Sequence, residues 1–237
     1  MPPTRLPLFV LGPDFMPMSS TSLRVFEPRY KQMLDDCILG SKPFGYITHD
    51  PKVKDIGGWT QPAKYGVLAE IEDYQESGSN IMINVISGRR FKSRLVIQPV
   101  LENDVVGAHF PTVEELMEKA EATQDGRLYL TCEAEIMDPI YHNHDQHDFE
   151  YFTDYISPLS NLIEVSCMYR GQQIDFQRSI SSSTPREQEL FLWQVSASLS
   201  GSVGIQQQML SSITTTELMQ VCLESANDII EAIAQEE

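Results

Sequence analysis

The sequence has no apolar run approaching the roughly 18 residues that a membrane-spanning helix needs, and its four cysteines, Cys37, Cys132, Cys167 and Cys222, form no Cys-x-x-Cys pair. The first absence argues against insertion in a membrane. The second removes zinc ribbons and the disulfide frameworks of small secreted domains, and leaves buried thiols of a reducing compartment. Leu6–Leu11 is too short, and too interrupted by Pro7, to be the core of an export signal, so a cytoplasmic protein is expected. No GxxxxGK[ST] loop is present, and no lysine follows Lys119 to activate a serine. These absences argue against a P-loop ATPase and a Ser-Lys peptidase, and no motif here calls for catalytic residues or a cofactor. Positive charge is also scarce: 17 Lys and Arg stand against 34 Asp and Glu, for a net charge of -17. Such a molecule is repelled by phosphate backbones and by anionic lipid, so any role with nucleic acid must be local.

What is present is a chain of 237 residues, 41% apolar, long enough for one large domain or two modest ones. Residues 1–99 carry twelve basic and ten acidic side chains, whereas residues 100–237 carry five and twenty-four, which implies two parts with different surfaces. The first part reads as strands around one helix. Leu6–Val10 and Leu23–Phe26 are strand-like, with Phe26 pointing inward, and Pro28 opens a helix whose apolar residues Tyr30, Met33, Leu34, Cys37 and Ile38 share a face before Gly40 closes it. Phe44–Thr48 is strand-like again. Period-two alternation then runs through Tyr65–Ile71, Ile81–Val85 and Phe91–Ile97, with turns at Glu76–Asn80 and Ser87–Gly88. Leu128–Ile136 supplies a last strand after a short acidic insert at about 99–126, whose Val113–Thr123 favours helix. Beyond Pro139 the pattern becomes helical. Thr184 with Glu187, and Thr214 with Glu217, are capping boxes; the terminal helix has an inner face of Leu218, Val221, Cys222, Ser225, Ile229 and Ile233. The expected fold class is α+β: a partly closed antiparallel β-barrel over residues 1–137, then an acidic helical bundle over 138–237.

Residues LPLFVLG (6–12), LRVFEPRYKQMLDDC (23–37), FGYI (44–47), YGVLAEI (65–71) and SGRRF (87–91), in this order and spacing, resemble the Lon N-terminal domain, the substrate-binding domain of the ATP-dependent protease La. FLWQVSASL, QQQMLSS and a last long helix resemble that family's closing segment. The resemblance implies a PUA-like barrel followed by helices, and a stand-alone recognition domain without ATPase or peptidase. It implies polypeptide segments or a proteolytic machine as partners, and an adaptor role in proteolysis or quality control. The sequence leaves the oligomeric state open.

Three groups of residues stand out as candidate sites. Phe15, Met16 and Met18 in the Pro-rich loop Gly12–Ser20, with Trp59 in a later loop, make an adaptable apolar surface for varied peptides if they face solvent, or plug the barrel if they do not. Arg89, Arg90, Lys92 and Arg94 form the basic cluster of a possible RNA-binding strand, with Arg90, Lys92 and Arg94 outward and Phe91 and Leu95 inward; the strongly acidic remainder weighs against nucleic acid. His142, His144 and His147, with Asp145 and Asp148, have ligand chemistry, but their spacing matches neither HExxH nor a rigid metal scaffold, so a solvated loop leading into a helix is expected and no metal. FEPRY (26–30) is read as a strand-to-helix corner, Glu27 pairing with Arg29.

Overall fold

The computed structural model describes residues 4–12, 15–55, 59–99, 127–176 and 184–236. The expected insert, including its helix at Val113–Thr123, lies outside the described residues apart from residue 99. Two compact units divide the chain: Met1–Gly12 with Ser22–Met137, and Pro13–Thr21 with Asp138–Glu237.

The first unit contains β1 (Thr4–Leu11), β2 (Ser20–Val25, all but its first two residues), α1 (Pro28–Gly40), β3 (Phe44–His49), β4 (Pro62–Ser77), β5 (Asn80–Ile97) and β6 (Thr131–Ile136). The strand order is β2-β5-β4-β3-β1-β6, and β5 pairs with β6 as well. Only Phe91–Ile97 of β5 meets β6, so the barrel is partly closed and the tip of the β4–β5 hairpin extends past the ring. One pairing departs from the all-antiparallel expectation: β1 and β3 are parallel, Leu8 opposite Gly45, because the intervening helix returns the chain to the same end of the sheet.

Ser87–Gly88 is not a turn. β5 runs through it unbroken, and the register against β4 shifts between Val67 and Ala69, where a Cβ on Gly88 would stand 3.2 Å from that of Leu68. A glycine inside a strand marks close approach here rather than a reversal. The actual reversal is Gly78–Ser79, with Gly78 at φ 60°. Inside the barrel Leu6, Leu8, Val10, Ile47, Phe91, Leu130 and Cys132 pack together. The Phe91 ring fits because Gly45 and Gly66 lack side chains: a Cβ on either would come within 2.7 to 2.8 Å of it.

The FEPRY corner is built as its residue types require. Pro28 occupies the first turn of α1, and the Arg29 guanidinium donates to Glu27 at 2.7 Å. Tyr30 packs its ring 4.2 Å from that of Phe9 and donates its hydroxyl to the Val10 carbonyl. Phe26, expected inward, is exposed: Val25 takes the buried position, and alternation turns the next side chain out. Ser41, rather than Gly40, adopts the left-handed conformation that ends α1.

The second unit contains α2 (Gln146–Ile156), a 3-10 turn (Ser157–Leu159), α3 (Ser160–Tyr169), α4 (Pro185–Leu199), α5 (Val203–Ser211) and α6 (Thr215–Glu236). α4 is its centre, with every residue from Phe191 to Ala197 buried, Trp193 at 2% exposure. Phe149 and Phe176 meet Phe191 edge-on at 5.8 and 5.5 Å. The capping box at Thr214 forms as expected, and at Thr184 the hydroxyl caps the Glu187 amide while donating to the Glu187 carboxylate. Leu218, Met219, Cys222, Ser225 and Ala226 carry the inner face of α6; of the residues expected there, Val221 and Ile229 are half-buried and Ile233 is exposed. Among the described residues no helix is long and apolar enough to cross a membrane.

Candidate functional site

The loop side chains expected at an apolar surface are mostly core. Phe15 and Met16 are buried and belong to the helical unit, so they do not face solvent. Met18 is half-buried, held at φ 57° in a turn where Ser19 Oγ donates to the Met16 carbonyl. Trp59 lies in the barrel core, with the Arg29 guanidinium 5.5 Å from its ring centroid. Large apolar side chains in a proline-punctuated loop can turn inward as readily as outward, and burial of each is worth about 2 kcal/mol.

The basic strand is dispersed as well. Arg90, expected outward, is 5% exposed, whereas Leu95, expected inward, is 54% exposed. The cause is the pair of register shifts flanking this stretch, at Val67/Ala69 against β4 and at Ser93/Leu95 against β6, each of which moves later side chains to the other face. Arg89 donates to the Met137 carbonyl at 2.8 and 3.2 Å, Arg94 pairs with Glu135, and Lys92 lies 6.0 Å from the Tyr65 ring centroid. The four cations therefore do not line up along one open face.

The His and Asp tract is a clasp within the helical unit rather than a loose connection. Asp145 caps α2, accepting from the Asp148 amide at 2.9 Å while Asp148 accepts from the Asp145 amide at 3.2 Å. Both ring nitrogens of His144 are engaged, Nδ1 with Thr215 Oγ1 at 2.7 Å and Nε2 with Gln188 Oε1 at 3.0 Å. His142 Nε2 approaches Glu189 Oε2 at 3.4 Å, and Asn143 Oδ1 accepts from Thr216. His142 and His144 consequently point to different partners. His147 brings its ring within 4.8 Å of the carboxylates of Asp145 and Asp148, but all three are exposed and the two carboxylates already serve the helix cap.

Two other surfaces have the character of binding sites. On α3, Ile163 and Cys167 face inward, yet Leu162, Val165, Met168 and Tyr169 on the other side are exposed, Met168 by 66% and Tyr169 by 84%. Glu164 is the only charged residue of this helix. Tyr151 of α2 is exposed too, its ring 6.4 Å from that of Tyr155. A helix apolar on both faces ordinarily sits inside a core. The signal was legible in SNLIEVSCMY, whose composition is too apolar for a one-sided surface helix. In the barrel unit, a groove of about 510 Å³ is lined by Cys37, Ile38, Lys42 and Pro43 on the side of α1 and by Glu70, Ile71, Glu72 and Tyr74 of β4.

A partly closed mixed barrel followed by a helical bundle is the architecture of Lon N-terminal domains. The chain is similar over 92% of its length, and 96% of the other's, to the structure of a Lon N-terminal domain protein from Xanthomonas campestris, at 19% identity and a TM-score of 0.54. It is also similar to the N-terminal domain of a Mycobacterium avium complex Lon protease, at 13% identity and a TM-score of 0.49, over 95% of this chain and 99% of that one. No curated protein matches it. Residues 5–228 match the ATP-dependent protease La (LON) substrate-binding domain, and the chain belongs to that family. It is a substrate-recognition module.

Proposed function

We propose that this protein binds exposed apolar segments of unfolded polypeptides through the outer face of α3, without catalysing a reaction on them, and acts as a cytoplasmic adaptor for proteolysis or quality control. The observation that carries the reading is the exposed set Leu162, Val165, Met168 and Tyr169 on a helix with one charge. Water-facing apolar side chains contribute nothing to folding, and a thioether beside aromatic and branched groups adapts to many client shapes. The site expected from sequence at Phe15, Met16, Met18 and Trp59 has less support, three of these four being buried. RNA binding by Arg89, Arg90, Lys92 and Arg94 likewise has little support, given Arg90's burial and the contacts made by Arg89 and Arg94.

Ordering a flexible client costs free energy, so dissociation constants in the micromolar range or above are expected. An apolar contact is little screened, so binding should change little with salt. The test is a titration of a fluorescent, reduced and carbamidomethylated model polypeptide against the parent and Val165→Glu with Met168→Glu. The double variant, its fold checked by circular dichroism, should bind at least tenfold more weakly. A folded variant that binds as tightly as the parent would remove α3 from the site.

A further inference from the structure

We propose that the outer edge of β4, from Glu70 to Ser77, is a β-augmentation site that accepts an extended, lysine- or arginine-bearing segment of a client polypeptide as an additional strand. This inference rests on the reading of the chain as a polypeptide-binding module and names how, and for which clients, the barrel unit takes part.

The edge is opened by the way β3 begins. β3 pairs with β4 only from Phe44, opposite Ala69, onward to His49, opposite Pro62. β4 continues eight residues past Ala69, and over Glu70–Ser77 its pairing is with β5, Glu70 opposite Ile86 through Ser77 opposite Asn80. Among the described residues nothing pairs with the other side of this stretch. The chain that would have occupied that place leaves it: α1 ends at Ser41 in the left-handed conformation, and Lys42 and Pro43 turn before β3 starts. Among the described residues no strand takes up the alternate amides and carbonyls on this side of β4.

The flank of this edge is shaped to receive side chains. Ile71 lies opposite Val85 and Tyr74 opposite Ile83, and cross-strand partners share a face. Val85 and Ile83 are buried, so half-buried Ile71 and the 52%-exposed Tyr74 share their face, and with Glu70 and Glu72 they form the β4 wall of the groove opposite Cys37, Ile38, Lys42 and Pro43. An added strand would place every second side chain into this groove and the others in solvent.

Charge selects the occupant. Glu70, Glu72, Asp73 and Glu76 are all exposed on this stretch. Opposing acidic residues disfavour a second copy of a chain that carries -17 overall, whereas a basic segment meets four carboxylates. The register shift between Ile71 and Asp73 twists the edge, which also discourages flat self-pairing.

The experiment uses the full chain and a ten-residue peptide of alternating valine and lysine, followed by fluorescence anisotropy at low salt and by amide shifts of residues 70–77. Methylating every second peptide nitrogen removes the strand donors without touching the protein, and should weaken binding about tenfold or more. Replacing the peptide lysines by glutamate, or Glu70→Lys with Glu72→Lys in the protein, should weaken it about fivefold, the difference closing as salt rises. Equal binding of the methylated peptide, or shifts confined to other residues, would overturn the proposal. So would a parent chain that dimerises in sedimentation and loses the dimer on Glu70→Lys with Glu72→Lys, since a second copy would then hold the edge. The Val165→Glu, Met168→Glu variant separates the two readings. Peptide binding lost there but kept in the edge variant overturns only the edge. A carbamidomethylated client that binds neither the parent nor any variant, beside a peptide that binds the edge, overturns only the α3 face.

Discussion

Cys37, Cys132, Cys167 and Cys222 are all free and buried, and burial pushes each thiol above its ordinary value of 9: Cys37 and Cys222 to about 12, Cys132 to about 11, and Cys167 upward as well. Asp36 adds to the effect at Cys37, while the Ser196 hydroxyl partly offsets it at Cys222. These thiols stay protonated in the folded chain, so an aromatic disulfide reagent at pH 8 should label none of them until denaturant is added. Rapid native labelling would contradict their placement. The raised values also tie stability to pH. The contribution is complete below pH 9, where both folded and unfolded thiols are protonated, and is lost as pH rises from 9 towards 12, because the unfolded chain ionises first. Gly66 makes a second test at this scale. A methyl group there would stand 2.5 Å from the Tyr46 carbonyl oxygen and 2.8 Å from the Phe91 ring. Gly66→Ala should cost about 1 to 3 kcal/mol, read from denaturant midpoints, and an unchanged midpoint would show that the barrel interior has room.

At the scale of elements, the strongest sequence signals were those with a local mechanism. Pro28, the Thr184/Glu187 pair and the Thr214/Glu217 pair each fix a helix start through dihedrals and hydrogen bonds within four residues, and each forms where it was read. Asp145 belongs to the same class, although its neighbours first suggest ligand chemistry. Asp145→Ala should cost about 1 kcal/mol of stability, and metal ions should not raise the melting temperature of the parent. What could not be read locally is whatever depends on pairing between distant strands. The register shifts beside Gly88 and Ser93 invert Arg90 and Leu95, and nothing within residues 89–95 announces them. The same holds for β1 and β3: period two is identical in parallel and antiparallel strands, so direction came only with the sheet. Helix α3 is the opposite case. Its apolar composition was legible, but which of its two faces remained in water depended on α4, the centre on which the second unit packs.

At the scale of the whole molecule, family membership follows from motifs spread over residues 5–228, since separate segments in fixed order are far more specific than any one of them. Function is narrower than fold here. The barrel and the bundle are a scaffold, and the binding reading rests on what that scaffold leaves apolar and open. With a net charge of -17, the chain should repel acidic clients at long range, so apolar capture at short range has to supply the affinity. The most direct measurement of this account is site-specific cross-linking. A photoreactive phenylalanine analogue replaces Tyr169, and in a control replaces Ile213, which is also in the second unit and is exposed by 66%. Each protein is irradiated with a carbamidomethylated unfolded polypeptide. The probe at Tyr169 should capture the client and the probe at Ile213 should not. Equal capture at both positions, or none at Tyr169 while the client is bound, would contradict the assignment of the α3 face as the recognition surface.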